Sequence, residues 1–390
     1  MRSTRLWLAV AGWIVAGTFA PAVALAADPG CVWPPRAASD VPAIVDACTA
    51  LLAAGGSDAE RASILVRRGR AYKSMRQLDN AAFDLEEAMK LAPDNPVVYV
   101  WRGWIAYDQG IYPYAAALAE RGLSMNGSLV FAYDLLGSIA VQTGNLAAAR
   151  DAYNKAVDID PANLHARENR YRLYKRVGAQ QEQLRELDEM LALQSPELDA
   201  MAEVIKRRPV PVRVKLRIER AELLRAMGRK EDAAKAYDEF VRDDPGAVSY
   251  GVRANFRYAV LDNNTLALAD IDEAIKADDT FAYVHSQKGF ILSSLKRYGE
   301  AAESFTRALI LDHADGPALW GRAKARRALD QLKPAIADAQ MALIVDGDFL
   351  QFKAKNLISL GYLPETANDD DALNAVKDAA QACMIDTRCW

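Results

Sequence analysis

Histidine and cysteine are the scarcest reactive residues in this chain, three and four respectively among 390. His165, His285 and His313 are scattered, and none stands near a cysteine, so no metal-ligand spacing arises. There is no GxGxxG, no phosphate loop, no GxSxG and no HExxH, which removes the motif-bearing nucleotide, hydrolase and metalloprotease chemistries. Excess charge of one sign is also lacking. The formal net charge is −4, and a mildly acidic chain offers no basic face to nucleic acid. Carboxylate pairs such as Glu86-Glu87 and Asp243-Asp244 read as helix ends or charged faces. Asp369 to Asp371 lacks the alternating ligands and glycine of a calcium loop. The expectation is a protein that is not an enzyme and carries neither cofactor nor metal.

Beyond the N-terminus no apolar run is long enough to cross a bilayer. At the N-terminus, Arg2 and Arg5 precede the apolar run Leu6 to Ala20, Pro21 breaks it, and Ala24-Leu25-Ala26 supplies the small-x-small pattern of signal-peptidase sites. Residues 1–26 are therefore expected to be a cleaved signal peptide, with a periplasmic or secreted mature chain starting at Ala27. The cysteines form two close pairs at opposite ends, Cys31 with Cys48 and Cys383 with Cys389. Sequence permits three pairings. In an oxidising compartment the economical one staples each end, Cys31–Cys48 and Cys383–Cys389.

What is abundant is a 34-residue recurrence of small residues. In windows starting at Ala62, the eighth place holds Gly69, Gly103 and Gly137, and the twentieth holds Ala81, Ala115 and Ala149. A second series starting at Val214 has Ala233, Ala267, Ala301 and Ala335 at the twentieth place, with Gly289 at the eighth in its third window. A fixed period of this length marks a solenoid of helix–turn–helix units. Small residues at places 8 and 20 let the two helices of a unit approach closely. Places 24 and 27 (Phe305 and Ala308 in one window, Tyr153 and Ala156 in another) face the next unit. Pro93, Pro161 and Pro245 at place 32 stop the second helix.

This pattern resembles the tetratricopeptide repeat family over about 270 residues. The resemblance implies an all-α, right-handed α-α superhelix, and the cysteine pairs add disulfide-stapled helical caps. The expected organisation is a cap helix in 27–61, four repeats in 62–197, and a linker or helix extension at 198–213. Four more repeats follow in 214–349, then capping helices in 350–390. The cap helix spans Asp40 to Leu52, and Cys48-Thr49-Ala50-Leu51-Leu52 ahead of repeats is similar to the start of many alphaproteobacterial periplasmic repeat proteins. The fourth window departs from the pattern, with Tyr171 at place 8 and Gln183 at place 20, and its helices are expected to splay. After it, Lys206-Arg207-Arg208-Pro209-Val210-Pro211 reads either as a linker or as a loop offered to a partner. Helix alone is expected throughout, without sheet.

In this family the first helix of each unit lines the inner groove, mainly through places 2, 5, 9 and 12, with 6 and 13 beside them. Carried over, the groove holds Arg67, Arg70 and Lys73 from the first unit, Trp101, Trp104 and Tyr107 from the second, and Phe131 from the third. Place 9 of adjacent units should present Arg70 and Trp104 to one ligand. A second set, Phe256, Tyr283, Phe290 and Trp320, lines the other block. Aromatic faces beside cationic heads suit an extended peptide with acidic or aromatic side chains, or a free C-terminal carboxylate. The aromatics can equally pack between units. The lysine-and-asparagine clamp by which some relatives hold chaperone tails is missing, because Val66 and Arg70 occupy those places. The function expected is a non-catalytic scaffold for a protein or peptide partner in the bacterial envelope. A different reading is a peptidoglycan-associated factor, since Gln351, Leu357 and Leu360-Gly361-Tyr362 resemble the opening helix of small peptidoglycan-binding modules.

Overall fold

The computed structural model describes residues 30–33, 38–199, 201–205, 208–345 and 378–385. It divides into two compact units, Met1–Asp160 and Pro161–Trp390. Each is a stack of antiparallel helix pairs, as the recurrence requires.

In the first unit, α1 (Val41–Ala54) precedes three pairs: α2 (Asp58–Ser74) with α3 (Leu78–Leu91), α4 (Pro96–Asp108) with α5 (Tyr112–Met125), and α6 (Val130–Gln142) with α7 (Leu146–Ile159). Ser57 caps α2 in a capping box with Glu60. Asn95 and Asn145 cap α4 and α7 by accepting from backbone N–H groups, and Pro96 sits at the first position of α4, where no N–H is needed. Cys31 and Cys48 are joined by a disulfide with their Cα atoms 4.9 Å apart. Both are fully buried among Val41, Ile44 and Ala71, so the link ties the loop 30–33 to α1 and to the first repeat.

In the second unit, α8 (Leu164–Val177) pairs with α9 (Gln180–Ala192). Where the sequence suggested a linker or helix extension at 198–213, and helix without sheet throughout, the connection that follows α9 contains local sheet. A 3-10 turn at Pro196–Asp199 leads into a two-stranded antiparallel hairpin, β1 (Met201–Ile205) with β2 (Arg208–Pro211), in which Val204 faces Pro209. The two prolines lack an N–H, which suits the edge of so small a sheet. Then come α10 (Val212–Ala226) with α11 (Lys230–Asp243), α12 (Ala247–Ala259) with α13 (Asn264–Ala277), α14 (Ala282–Ser294) with α15 (Tyr298–Leu311), and α16 (Gly316–Ala328) with α17 (Leu332–Val345). A helix over 378–385 packs Ala379, Ala380, Cys383 and Met384 onto Leu319, Trp320 and Leu343. Cys389 and the segment 346–377 lie outside the described residues, and so do the Cys383–Cys389 link and the peptidoglycan-module resemblance at 351–362.

The period has a steric cause. A Cβ built on Gly103 would sit 3.2 Å from the Ala115 carbonyl oxygen, and one on Gly289 would sit 2.6 Å from the Phe305 ring. All seven alanines of place 20 are fully buried. The turn inside each pair repeats as well: place 15 takes positive φ at Arg76, Gly110, Gly144, Gly178, Gly228, Asp262, Lys296 and Asp330. That left-handed step reverses the chain between helices whichever residue occupies it. The fourth window behaves as expected of bulkier neighbours, with α8 and α9 packed less intimately than most other pairs of the stack. Gln183 is buried and spends its side-chain N–H on the Tyr174 carbonyl oxygen. Since Ala301 is fully buried, Ala301→Leu should lower stability by roughly 1–3 kcal/mol through overpacking. Thermal melts of the two proteins check this, and equal melting would mean that Ala301 does not face its partner helix.

A second periodic feature escaped the sequence reading. Arginines on first helices meet carboxylates on second helices sixteen or seventeen residues later: Arg68 with Asp84 at 2.7 Å, Arg253 with Asp270 at 2.6 Å, and Arg322 with Asp338 at 2.7 Å. Arg170 likewise meets Glu186. Asp84, Glu186, Asp270 and Asp338 all occupy place 23 and are buried, so these charges belong to the interior of the helix pairs.

Candidate functional site

The first-helix face of the N-terminal unit brings the sequence-predicted residues together, in a different pairing from the one expected. One row joins Trp33, Arg70, Trp101 and Phe131. The Arg70 guanidinium carbon lies 5.1 Å from the centre of the Trp33 ring and 4.2 Å from that of Trp101, which in turn stacks on Phe131 at 6.1 Å. A parallel row, one helical turn on, joins Lys73, Trp104 and Tyr107. The Lys73 ammonium is 5.9 Å from the Trp104 ring and 2.9 Å from Asp108, while Trp104 meets Tyr107 edge-on at 5.6 Å. Tyr107 is fixed further by Tyr112 at 5.6 Å and by the Gln142 side-chain N–H, which donates to its hydroxyl. Arg70 therefore partners Trp101 and not Trp104. A side chain at place 9 of α2 lies beside place 6 of α4, while place 12 of α2 lies beside place 9 of α4.

These side chains are half-buried, each with one flank on the core and one outward. Arg67 is committed to structure: it donates to the Cys31 carbonyl oxygen at 3.1 Å and to Ser63. Arg70 differs from its neighbours. Its Nε is buried and finds no hydrogen-bond partner among the described residues, and burial pushes its pKa down to about 10. Trp33 was not anticipated as part of the site. An aromatic two residues from a half-cystine was the available signal.

The second set does not form a groove. Phe256 is 2% exposed and Trp320 7%, so both are corrected to core positions. Phe256 packs against Tyr237 at 4.9 Å, and Trp320 is covered by the helix over 378–385. Tyr283 and Phe290 are half-buried, against Phe281 at 5.6 Å and Phe305 at 4.9 Å. Burial raises the Tyr283 phenol above its ordinary value. His285 is buried 2.8 Å from the Asp279 carbonyl oxygen, and burial lowers its pKa. Among the described residues no group of acidic, histidine and cysteine side chains has metal-binding geometry, and no helix is long and apolar enough to cross a membrane.

The chain matches mitochondrial import receptor subunit TOM70 of human at 27% identity over 100 residues, 24% of this chain and 16% of the receptor. The rat and mouse receptors match equally. The chain thus spans only a small part of the length of these curated relatives. Among solved structures, the C-terminal part of a TPR repeat-containing protein from Cytophaga hutchinsonii aligns at 15% identity and TM-score 0.48, over 65% of this chain and 98% of that one. A tetratricopeptide repeat protein from Parabacteroides merdae aligns at 19% identity and TM-score 0.37, over 70% and 98%. Models of the tetratricopeptide repeat match residues 62–95, 132–163 and 198–248. With those matches falling on the 34-residue period of helix pairs, the chain carries tetratricopeptide repeats.

Proposed function

We propose that this protein is a non-catalytic scaffold that holds an extended segment of a partner protein along the first helices of its N-terminal unit, in the envelope of a bacterial cell. The observation that carries the reading is the double row of cations and half-exposed aromatics on α2, α4 and α6. Rings held rigidly by neighbouring rings offer large contact area at little entropic cost. The tetratricopeptide repeats support binding without turnover. The envelope location is supported by the Cys31–Cys48 link, which persists in oxidising compartments, and by the leader-like residues 1–26.

The test is capture of partner from envelope extract by the tagged mature chain, compared with Trp104→Ala. A central aromatic anchor carries about 2 kcal/mol, so affinity should fall on the order of 30-fold with helicity unchanged. Phe83→Ala, which removes an aromatic ring 70% exposed on α3, should leave capture intact. Undiminished capture by a folded Trp104→Ala protein would place the interface elsewhere. Sedimentation with purified sacculi, in place of protein capture, would replace this reading with a cell-wall role.

A further inference from the structure

Arg70 is set apart by what its neighbours have and it lacks. Arg67 donates to a carbonyl and to Ser63, Arg68 meets Asp84 through two hydrogen bonds, and Lys73 pairs with Asp108. The Arg70 guanidinium instead has indole rings for company, and its Nε is buried without a partner among the described residues. Stacking engages the face of a guanidinium, whereas its N–H donors all lie in its plane. The rings therefore desolvate the cation and leave its buried Nε–H unsatisfied, and a cation so held gains most from a planar anion that meets the guanidinium edge-on at its terminal Nη groups.

Resting on the scaffold reading, the geometry points to Arg70 as the seat of a side-chain carboxylate, glutamate or aspartate, in an extended acidic segment of the partner. Trp33 and Trp101 form its walls. The row continues on both sides of Arg70, to Trp33 in one direction and through Trp101 to Phe131 in the other, so it suits a chain that passes through. The carboxylate is then that of a side chain and not of a terminus. One wall stands two residues from Cys31, so the disulfide-tied loop is part of the recognition surface. The depressed Arg70 pKa fits a cation awaiting its counter-ion.

The experiment follows the Arg70 Nε–H resonance in the nitrogen-15-labelled mature chain, assigned by its loss in Arg70→Lys. If that variant unfolds the cap, the altered ring current of Trp33→Phe assigns the same signal. The probes are the acetylated, amidated peptide Ala-Phe-Glu-Phe-Ala, its glutamine counterpart, and the glutamine counterpart with a free C-terminal carboxylate. The glutamate peptide should shift the resonance saturably and bind roughly ten-fold or more tighter than the amidated glutamine peptide. Trp33→Ala should erase most of that difference. Equal binding of the glutamate and glutamine amides, or a shift produced only by the free carboxylate, would overturn the proposal. Loss of partner capture in Trp104→Ala with no carboxylate effect at Arg70 would sink this inference and leave the scaffold reading standing. Retained capture in Trp104→Ala would instead remove the reading beneath it.

Discussion

Asp270→Ala should destabilise the second unit by about 3 kcal/mol, the low end for breaking a buried pair, because the two arginines it leaves behind are only part-buried. Asp270 is 3% exposed and serves two arginines: Arg253 through both carboxylate oxygens, at 3.0 and 2.6 Å, and Arg257 at 2.8 Å. Both arginines also reach Asp238, at 2.9 and 3.2 Å, but that carboxylate is mostly exposed and solvent screens it. Asp238→Ala should therefore cost no more than about 1 kcal/mol and serves as the control. Asp270→Asn keeps the shape and loses the charge, so it should fall between the two. Urea denaturation gives the totals, and amide exchange gives the location. Protection should be lost first in α12 and α13, because each unit of a stack contacts mainly its neighbours. Equal losses for Asp238→Ala and Asp270→Ala would mean that water reaches both carboxylates alike.

The sequence disclosed these charges only as residues and not as pairs. Arg253 and Asp270 lie on different helices, and a reading that assigns charged residues to solvated faces sends them both outward. The place-20 alanines were legible because their cause is local: two helices joined by a short turn must touch where side chains are small. Trp104 and Tyr107 were legible for the same reason, being one turn apart on one helix. Phe256 and Trp320 were not. Which flank of a first-helix aromatic stays open depends on what later covers it, and Trp320 is covered by a helix more than fifty residues further along. The hairpin of β1 and β2 was hidden by Pro209 and Pro211, which read as breakers of helix and equally permit an edge strand. Trp33 was hidden by its position in a short cap, because the pairing of its ring with Arg70 follows from a disulfide and from no period.

Removing that disulfide should cost the N-terminal cap about 3 kcal/mol, the chain-entropy value for a closed loop of this size, here a separation of 17 residues. The double variant Cys31→Ala with Cys48→Ala isolates the effect better than serine, since both sulfurs are fully buried and a hydroxyl there would need a partner. The loss should stay local. The loop 30–33 and α1 should lose amide protection, while α4 to α7 keep theirs, because among the described residues the cap packs mainly on the first repeat. Arg67 would lose its hold on the Cys31 carbonyl, and Trp33 would leave Arg70 as the loop frays. Recognition should then weaken in a particular way: the preference for a glutamate over a glutamine peptide should shrink, while contacts at Trp104 and Tyr107 remain. Mass mapping of the unreduced protein supplies the companion check, with Cys31 expected in a peptide linked to Cys48. A free thiol at both positions in protein taken from its host would remove the cap wall from the functional molecule, and with it the argument for an oxidising compartment. A global fall in stability on losing the link would mean that the cap nucleates the whole unit, and the disulfide would then be a determinant of folding more than of recognition.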